Sequence, residues 1–322
     1  VYHYNEPYAD SSAIPTYYVS KAAREHVTVI LSGDGGDESF LGYTRYLNAR
    51  LNSAPGPISP KLAKRLLVWV DALPSGVAKS YVATKIKHKL EHNIEDRPRR
   101  YEQYIAYFSD DSKRHLYGDE MTGFLECSAL DKLERYLDDA PTMAMGAAWA
   151  DTHTYLPDDL LVKVDVASMA NSLEVRAPFL DHELMSWVAT IPEEQRFRGE
   201  ETKSLLKEAM APYLPHDLMY RPKMGFGVPI DVWLRDELRD LSHDVLLSSK
   251  ATNRGLFNRS EVESLLARHA NGENWAIRIW ALLMLELWFN TWIDSGDPIA
   301  AWSTSPATAS EHGAQGIRET AR

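Results

Sequence analysis

The sequence predicts an α/β chain in which a remnant of parallel sheet near the N-terminus leads into a predominantly helical body. Three observations point there. Val27-Thr28-Val29-Ile30-Leu31 is a β-branched run that suits a strand buried on both faces, as parallel sheets require. A glycine-rich break from Ser32 to Glu38 follows at once, and open α/β sheets place ligands at such strand-to-helix loops. Beyond it, apolar residues recur at helical spacing over much of the chain.

In chain order, Pro15 to His26 has helical composition, the strand and loop follow, and Tyr43 to Leu51 reads as helix. Residues 1–50 therefore form one unit of helix, strand, acidic Gly-rich loop and helix. Pro, Gly and Ser rise from Asn52 to Pro60 and mark a connection into a helical body over residues 51–300. Leu62, Leu66, Trp69, Val70 and Leu73 share one helical face. Pro157-Asp158-Asp159 is a helix start, with proline and acid in the first turn, for Leu160, Val164, Ala167 and Asn171. Trp275 to Ile293 is the most membrane-like stretch, but Arg278 and Glu286 interrupt it. A buried or half-buried Trp-rich helix is expected there, not a membrane span. Residues 301–322 are rich in Ser, Thr, Ala and Gly and read as a disordered tail. A lone parallel strand has no sheet to join, so the chain is expected to begin partway through a fold, with an exposed strand edge that favours self-association.

Composition narrows the function. A chain of 322 residues with 44% hydrophobic and 25% charged residues can bury a substantial core. Its net charge of -11 argues against a general nucleic-acid binder. The single cysteine, Cys127, excludes an internal disulfide framework and a Cys-rich zinc site, and reads as a packing residue in a reducing, cytoplasmic setting. Val1 to Glu6 has neither the basic start nor the apolar run of a secretory signal.

The loop Ser32-Gly33-Asp34-Gly35-Gly36-Asp37-Glu38 is the most informative segment. Its glycines let the backbone approach a ligand and take positive φ, while its three carboxylates face any phosphate only through a divalent cation. Mg²⁺ between protein and phosphate is the expectation, and helix capping by Asp34 or Asp37 is the alternative. An EF-hand fails because Gly36 stands where a ligand is required. Far downstream, Glu201 or Thr202 can start a helix. That puts Lys203 in its first turn, where the macrodipole disfavours a cation unless an anion lies nearby. A solvated lysine beside Lys207 is the alternative. Lys163 and Asp165 interrupt an apolar helix, so they are either paired or face a cleft. Glu174 and Arg176 project to one side of an extended segment before Pro178 and read as a structural pair. Lys223 lies in a Gly-rich loop and either covers a ligand or is an ordinary basic loop residue.

The acidic loop, preceded by Glu6-Pro7-Tyr8-Ala9-Asp10-Ser11-Ser12-Ala13-Ile14-Pro15-Thr16, closely resembles the synthetase domain of glutamine-dependent asparagine synthetases. So do three further segments in family order: Lys163 to Asp165 running through Ser172 to Asp181, Glu201 to Lys207, and Arg221 to Pro229. The resemblance implies an adenine nucleotide alpha-hydrolase-like fold, of the ATP pyrophosphatase type, here as a truncated sheet remnant. It implies ATP and Mg²⁺, with aspartate and ammonia as the other reactants. The β-carboxylate of aspartate attacks the α-phosphorus of MgATP to give β-aspartyl-AMP and pyrophosphate, and ammonia displaces AMP. Ser32 and Gly33 would lie against the nucleotide, with Gly35, Gly36, Glu38 and Lys163 in the same binding region. Asp37 would help to hold Mg²⁺, Asp34 would serve the acyl-adenylate step, and Lys203 would sit at the reacting phosphate.

The sequence also departs from the family. The pyrophosphate loop Ser-Gly-Gly-x-Asp-Ser occurs nowhere in these residues, and neither does the N-terminal cysteine of a glutaminase domain, so little activity is expected of this chain alone. Val166 stands where relatives usually carry Arg, and Leu41 where Gly is usual. Either weakens the assignment to aspartate. An amidotransferase for another carboxylate and a non-catalytic interaction module remain the other readings, and a homodimer is left open.

Overall fold

The computed structural model describes residues 1–51, 59–71, 86, 90, 97–128, 130–221 and 225–296. The expectations for Leu73, Lys223 and the tail at 301–322 lie outside the described residues.

A first helix, α1 (Ala13–Arg24), leads into β1 (Val29–Leu31), which pairs in parallel with β2 (Glu174–Arg176). Ile30 stands opposite Val175, and the ladder is closed by Glu174 N–H donating to the Thr28 carbonyl at 2.9 Å and Ser32 N–H to the Arg176 carbonyl at 2.8 Å. No partner strand for β1 is legible in the sequence. β2 is only three residues long and is cut off by Pro178, which leaves no periodicity to read. The double-sided burial expected of β1 is not found either: Leu31 is 71% exposed and Val29 39%.

After β1 come α2 (Gly36–Ser39), α3 (Thr44–Leu51) and α4 (Pro60–Asp71). On α4 the apolar face proposed from Leu62, Leu66 and Trp69 is exposed. The first core is built where α3 meets α5 (Arg97–Ile105), α7 (Asp131–Asp138) and α8 (Met143–His153), α6 (Asp110–Leu116) lying between α5 and α7 in sequence. Helix α8 is buried almost all round because its sequence, MAMGAAWADTH, offers small side chains on several faces. A Cβ at Gly146 would lie 3.0 Å from Leu137 Cα, so α7 and α8 approach more closely than larger residues allow. The Thr142 hydroxyl caps α8 by accepting from Met145 N–H.

Within this core Asp151 is fully buried, and one of its oxygens accepts from Arg45 Nη2 at 2.7 Å, Arg45 Nε at 2.9 Å and Tyr46 Oη at 2.6 Å. Its other oxygen has no partner. The sequence offered no sign of this pair.

Past α8, the π-helical turn Leu156–Leu161 carries Pro157-Asp158-Asp159 into α9 (Val162–Met169), which packs along α1. Asp10 ties the two together. Just before α1 it accepts from Ser12 N–H at 2.9 Å and from Ser12 Oγ at 2.7 Å, and it also accepts from Lys163 Nζ at 2.7 Å. Burial raises the Asp10 pKa, but Lys163 and Ser12 outweigh it and hold the carboxyl below its usual range.

The C-terminal part of the described chain forms a second core. Helices α12 (Arg239–Leu246), α13 (Arg259–Ala270) and α14 (Ala276–Trp288) enclose Leu246, Leu265, Ile279, Trp280 and Leu283, with α10 (His182–Ala189) and α11 (Ser204–Met210) preceding them in sequence. Among the described residues, Ala276–Ile293 is long and apolar enough to cross a membrane. It carries Glu286, buried and paired with Arg254 Nε at 3.0 Å, on the same helix that supplies this core. That matches the buried or half-buried Trp-rich helix expected from the sequence.

Leu41 is buried at 0% exposure with a φ of 55°, a backbone region that favours glycine. Relief of the left-handed backbone would return about 1–2 kcal/mol, whereas emptying a buried leucine site costs about 2–5 kcal/mol. Leu41→Gly is therefore expected to lower stability in denaturant titration despite the better backbone fit. Asp151→Asn should cost more, about 3–5 kcal/mol, because Arg45 loses its buried counter-charge. Recovery of most of that loss in Arg45→Met with Asp151→Leu would identify the pair as the cause.

Candidate active site

The acidic loop is shaped by two close approaches. Gly35 has φ +83°, and a Cβ there would lie 2.3 Å from Leu180 Cδ2, so only glycine satisfies both the backbone and the packing. Gly36 lies against the Phe179 ring, while a Cβ at Gly33 would meet nothing within 4 Å. The loop is thus pinned at Gly35 and open at Gly33. Its first side chain turns inward: Ser32 Oγ donates to Asp34 Oδ2 at 2.8 Å.

Asp37 lies on α2, and Lys203 reaches it from far downstream, with Nζ 3.1 Å from Oδ1. Both side chains remain partly exposed, at 30% for Lys203 and 24% for Asp37. The sequence placed Lys203 in the first helical turn. In the structure it precedes α11 as the cap residue, with φ 56° in the left-handed region. A non-glycine residue there costs on the order of 1–3 kcal/mol and persists only where its surroundings hold it. Gly42 is part of this holding, since a Cβ on it would lie 2.1 Å from Asp37 Oδ1 and 2.2 Å from Lys203 Cε. Gly42 was not singled out in the sequence. Its only signal was a glycine directly after Leu41, in a loop already known to be tight.

Asp34 faces a hollow of about 570 Å³ that Ser32, Asp165, Pro157 and Leu180 help to line. Asp165, read as either paired or facing a cleft, therefore faces the same space as Asp34. Glu38 does not join this side. It is 2% exposed, its Oε1 accepts from Tyr43 Oη at 2.9 Å, and burial raises its pKa. Lys163 is likewise drawn away, into the ion pair with Asp10. Glu174 and Arg176 form the structural pair expected of them, at 2.7 Å on the exposed surface of β2.

Among the described residues no group of three or more His, Cys, Asp or Glu side chains could hold a metal ion. Asp37 offers one hard oxygen donor. That suits Mg²⁺, which is typically held by one or two carboxylates and completed by phosphate oxygens and water.

The asparagine synthase family description matches residues 1–290. Asparagine synthetase [glutamine-hydrolyzing] 1 of Bacillus subtilis is 32% identical over 300 residues, covering 89% of this chain and 44% of the relative. A putative asparagine synthetase of Mycobacterium tuberculosis is 32% identical over 305 residues, covering 91% and 44%. Amidase chyE of Penicillium rubens is 25% identical over 259 residues, covering 72% and 37%. The chain thus spans less than half the length of these relatives, and the match runs through the acidic loop, Lys163 and Lys203 alike. On that match, the chain belongs to the asparagine synthase family.

Proposed function

We propose that this chain supplies one wall of the synthetase site of an ATP-dependent, amide-forming enzyme, with aspartate as the carboxylate and ammonia as the nitrogen source. The observation that carries this reading is the meeting of Asp37 and Lys203 at 3.1 Å, beside a glycine that leaves them room. A carboxylate and an ammonium at one partly open point can serve a metal-bound phosphate together, one through the metal and one directly.

On this reading the β-carboxylate of aspartate attacks the α-phosphorus of ATP, pyrophosphate leaves, and ammonia displaces AMP from the acyl-adenylate. Lys203 neutralises charge that builds on the departing pyrophosphate. Mg²⁺, when bound, supplies further charge neutralisation at the phosphates, and Asp37 would be its ligand from this chain. Ser32 and Gly33 border the nucleotide, Gly33 because nothing crowds its Cα. Asp34, which accepts from Ser32 and lines a hollow with Asp165, serves the formation or consumption of the acyl-adenylate on this reading. Gly35 and Gly36 shape the loop, while Glu38 and Lys163 support it from behind.

Val166 and Leu41, which differ from the usual family residues, favour a second reading in which the acceptor is a carboxylate other than aspartate. Pyrophosphate release measured across a panel of carboxylates separates the two.

Because these residues contain no Ser-Gly-Gly-x-Asp-Ser loop, the chain by itself should release little pyrophosphate from MgATP, aspartate and ammonium. Loss of a single preorganised donor already costs roughly 10²–10³-fold. A polypeptide that also provides the loop should be active, and Asp37→Asn or Lys203→Ala in it should each lower the rate by about 10²-fold or more. Equal turnover with and without the loop would sink the assignment. Gly42→Ala is a sharper probe. The atoms its Cβ would strike are ends of flexible side chains, so folding should survive while the Asp37–Lys203 geometry is displaced. A melting temperature within about 3 °C of the parent, with at least a tenfold rate loss, is expected.

A further inference from the structure

Asp37 stands on α2, a single turn of four residues whose other three members, Gly36, Glu38 and Ser39, are buried. So short a helix does not hold itself, because forming the first turn fixes several residues for one hydrogen bond. What aims Asp37 at Lys203 must come from outside the turn. Two hydrogen bonds return to α2 from the residues that follow it: Gly42 N–H donates to the Asp37 carbonyl at 2.8 Å, and Tyr43 Oη donates to Glu38 Oε1 at 2.9 Å. The chain makes this return through Leu41, at its left-handed φ of 55°.

Glu38 depends on the Tyr43 contact. It is 2% exposed, and among the described residues Tyr43 is its one side-chain donor while Oε2 has no hydrogen-bond partner. Burial raises its pKa, with the charges of Asp37 and Asp151 adding to the effect, while its own backbone N–H and the Tyr43 hydroxyl act the other way. Without that hydroxyl the carboxyl group would sit in the interior with neither oxygen matched by a side chain, and turning it toward water would be favoured. Glu38 and Asp37 are neighbours on one helical turn, about 100° apart. Any such rotation swings Asp37 as well.

The ring of Tyr43 is fixed independently of α2. The Arg45 guanidinium lies over it, with Cζ 3.9 Å from the centroid, and the Tyr46 ring meets it edge-on at 5.3 Å. Both neighbours belong to α3, and both donate to the buried Asp151. The hydroxyl therefore reaches α2 from an anchored base. We propose that Tyr43 is a positioning residue for Asp37: its hydroxyl holds Glu38 in place, and thereby fixes the face of α2 that presents Asp37 to Lys203. The effect of Tyr43 on turnover rests on the phosphate site proposed above, whereas its effect on the Asp37–Lys203 contact does not.

The contact can be read without substrate, by carbon-13 NMR of the full chain after reductive methylation of its lysines, a modification that keeps their charge. Lys203 is 30% exposed and so open to the reagent, and its dimethyl resonance is the one lost in Lys203→Arg. Asp37→Asn gives the position of that resonance without its partner. Tyr43→Phe, which keeps the ring and removes the hydroxyl, should carry the resonance at least about half of the way there, and the two changes together should carry it no further than Asp37→Asn alone. Ile279→Val, which thins the second core, should lower the denaturation midpoint yet leave the Lys203 resonance at its parent position. The proposal is overturned if Tyr43→Phe leaves that resonance unmoved, or if Ile279→Val displaces it as far. In the polypeptide that supplies the Ser-Gly-Gly-x-Asp-Ser loop, Tyr43→Phe should lower pyrophosphate release by about tenfold or more, and by no more than about twofold once Asp37→Asn is present. A displaced resonance with undiminished release would uphold the positioning and count against the phosphate site.

Discussion

Asp151 is the side chain on which the arrangement around the candidate site rests. A carboxylate at 0% exposure is tolerable only with strong compensation, and Arg45 and Tyr46 provide it on a single oxygen. The pairing clamps α3 onto α8 and fixes the Arg45 guanidinium, which stacks over the Tyr43 ring at 3.9 Å and the Tyr155 ring at 4.6 Å. Tyr43 in turn donates to Glu38 on α2. A chain of contacts therefore runs from the middle of the first core to the residue beside Asp37. The unpartnered Asp151 oxygen is a cost of about 1–3 kcal/mol that the structure carries for this clamp.

What the clamp holds is a set of close approaches with little slack. Leu41 and Lys203 both take left-handed backbone without being glycine, and they flank the point where Asp37, Gly42 and Lys203 meet. Leu41 is kept there by full burial among Tyr46, Phe197 and their neighbours. Lys203 has no such burial. It is held by its ion pair with Asp37 and by the backbone bond that Lys207 N–H makes to its carbonyl at 2.9 Å. Strained backbone at a partly open ionic point is consistent with the phosphate site proposed for Asp37 and Lys203.

The parts of this arrangement that were legible in the sequence are those encoded locally. The glycines and acids of the loop announced a tight, anionic turn, and Gly35 proved to need both its flexibility and its lack of a side chain. Helices α1 and α3 were legible from composition, α14 from its apolar, Trp-rich run, and the Glu174–Arg176 pair from the extended segment before Pro178. What escaped was set by tertiary contact. β2 is too short to show a period, Leu31 is apolar yet exposed, and Lys203 is a cap rather than a first-turn residue. Glu38 sits among loop carboxylates in sequence but faces inward because the next helix brings Tyr43 to it. Asp151 has no local signature, since it matters only through Arg45 and Tyr46 far from it in the chain, and Gly42 shows only as a glycine in the loop beside Asp37 until Lys203 is brought to it.

The central claim is that Asp37 and Lys203 act on one phosphate centre as a unit. A double-mutant cycle tests it most directly: Asp37→Asn, Lys203→Met and the pair together, read as pyrophosphate release by the polypeptide that supplies the missing loop. Groups acting as a unit are strongly non-additive. The double variant should therefore fall little further than the worse single one, with a coupling energy of at least about 1 kcal/mol. Single losses that simply multiply in the double variant would contradict the account, and would mean that the contact at 3.1 Å joins two side chains with separate tasks.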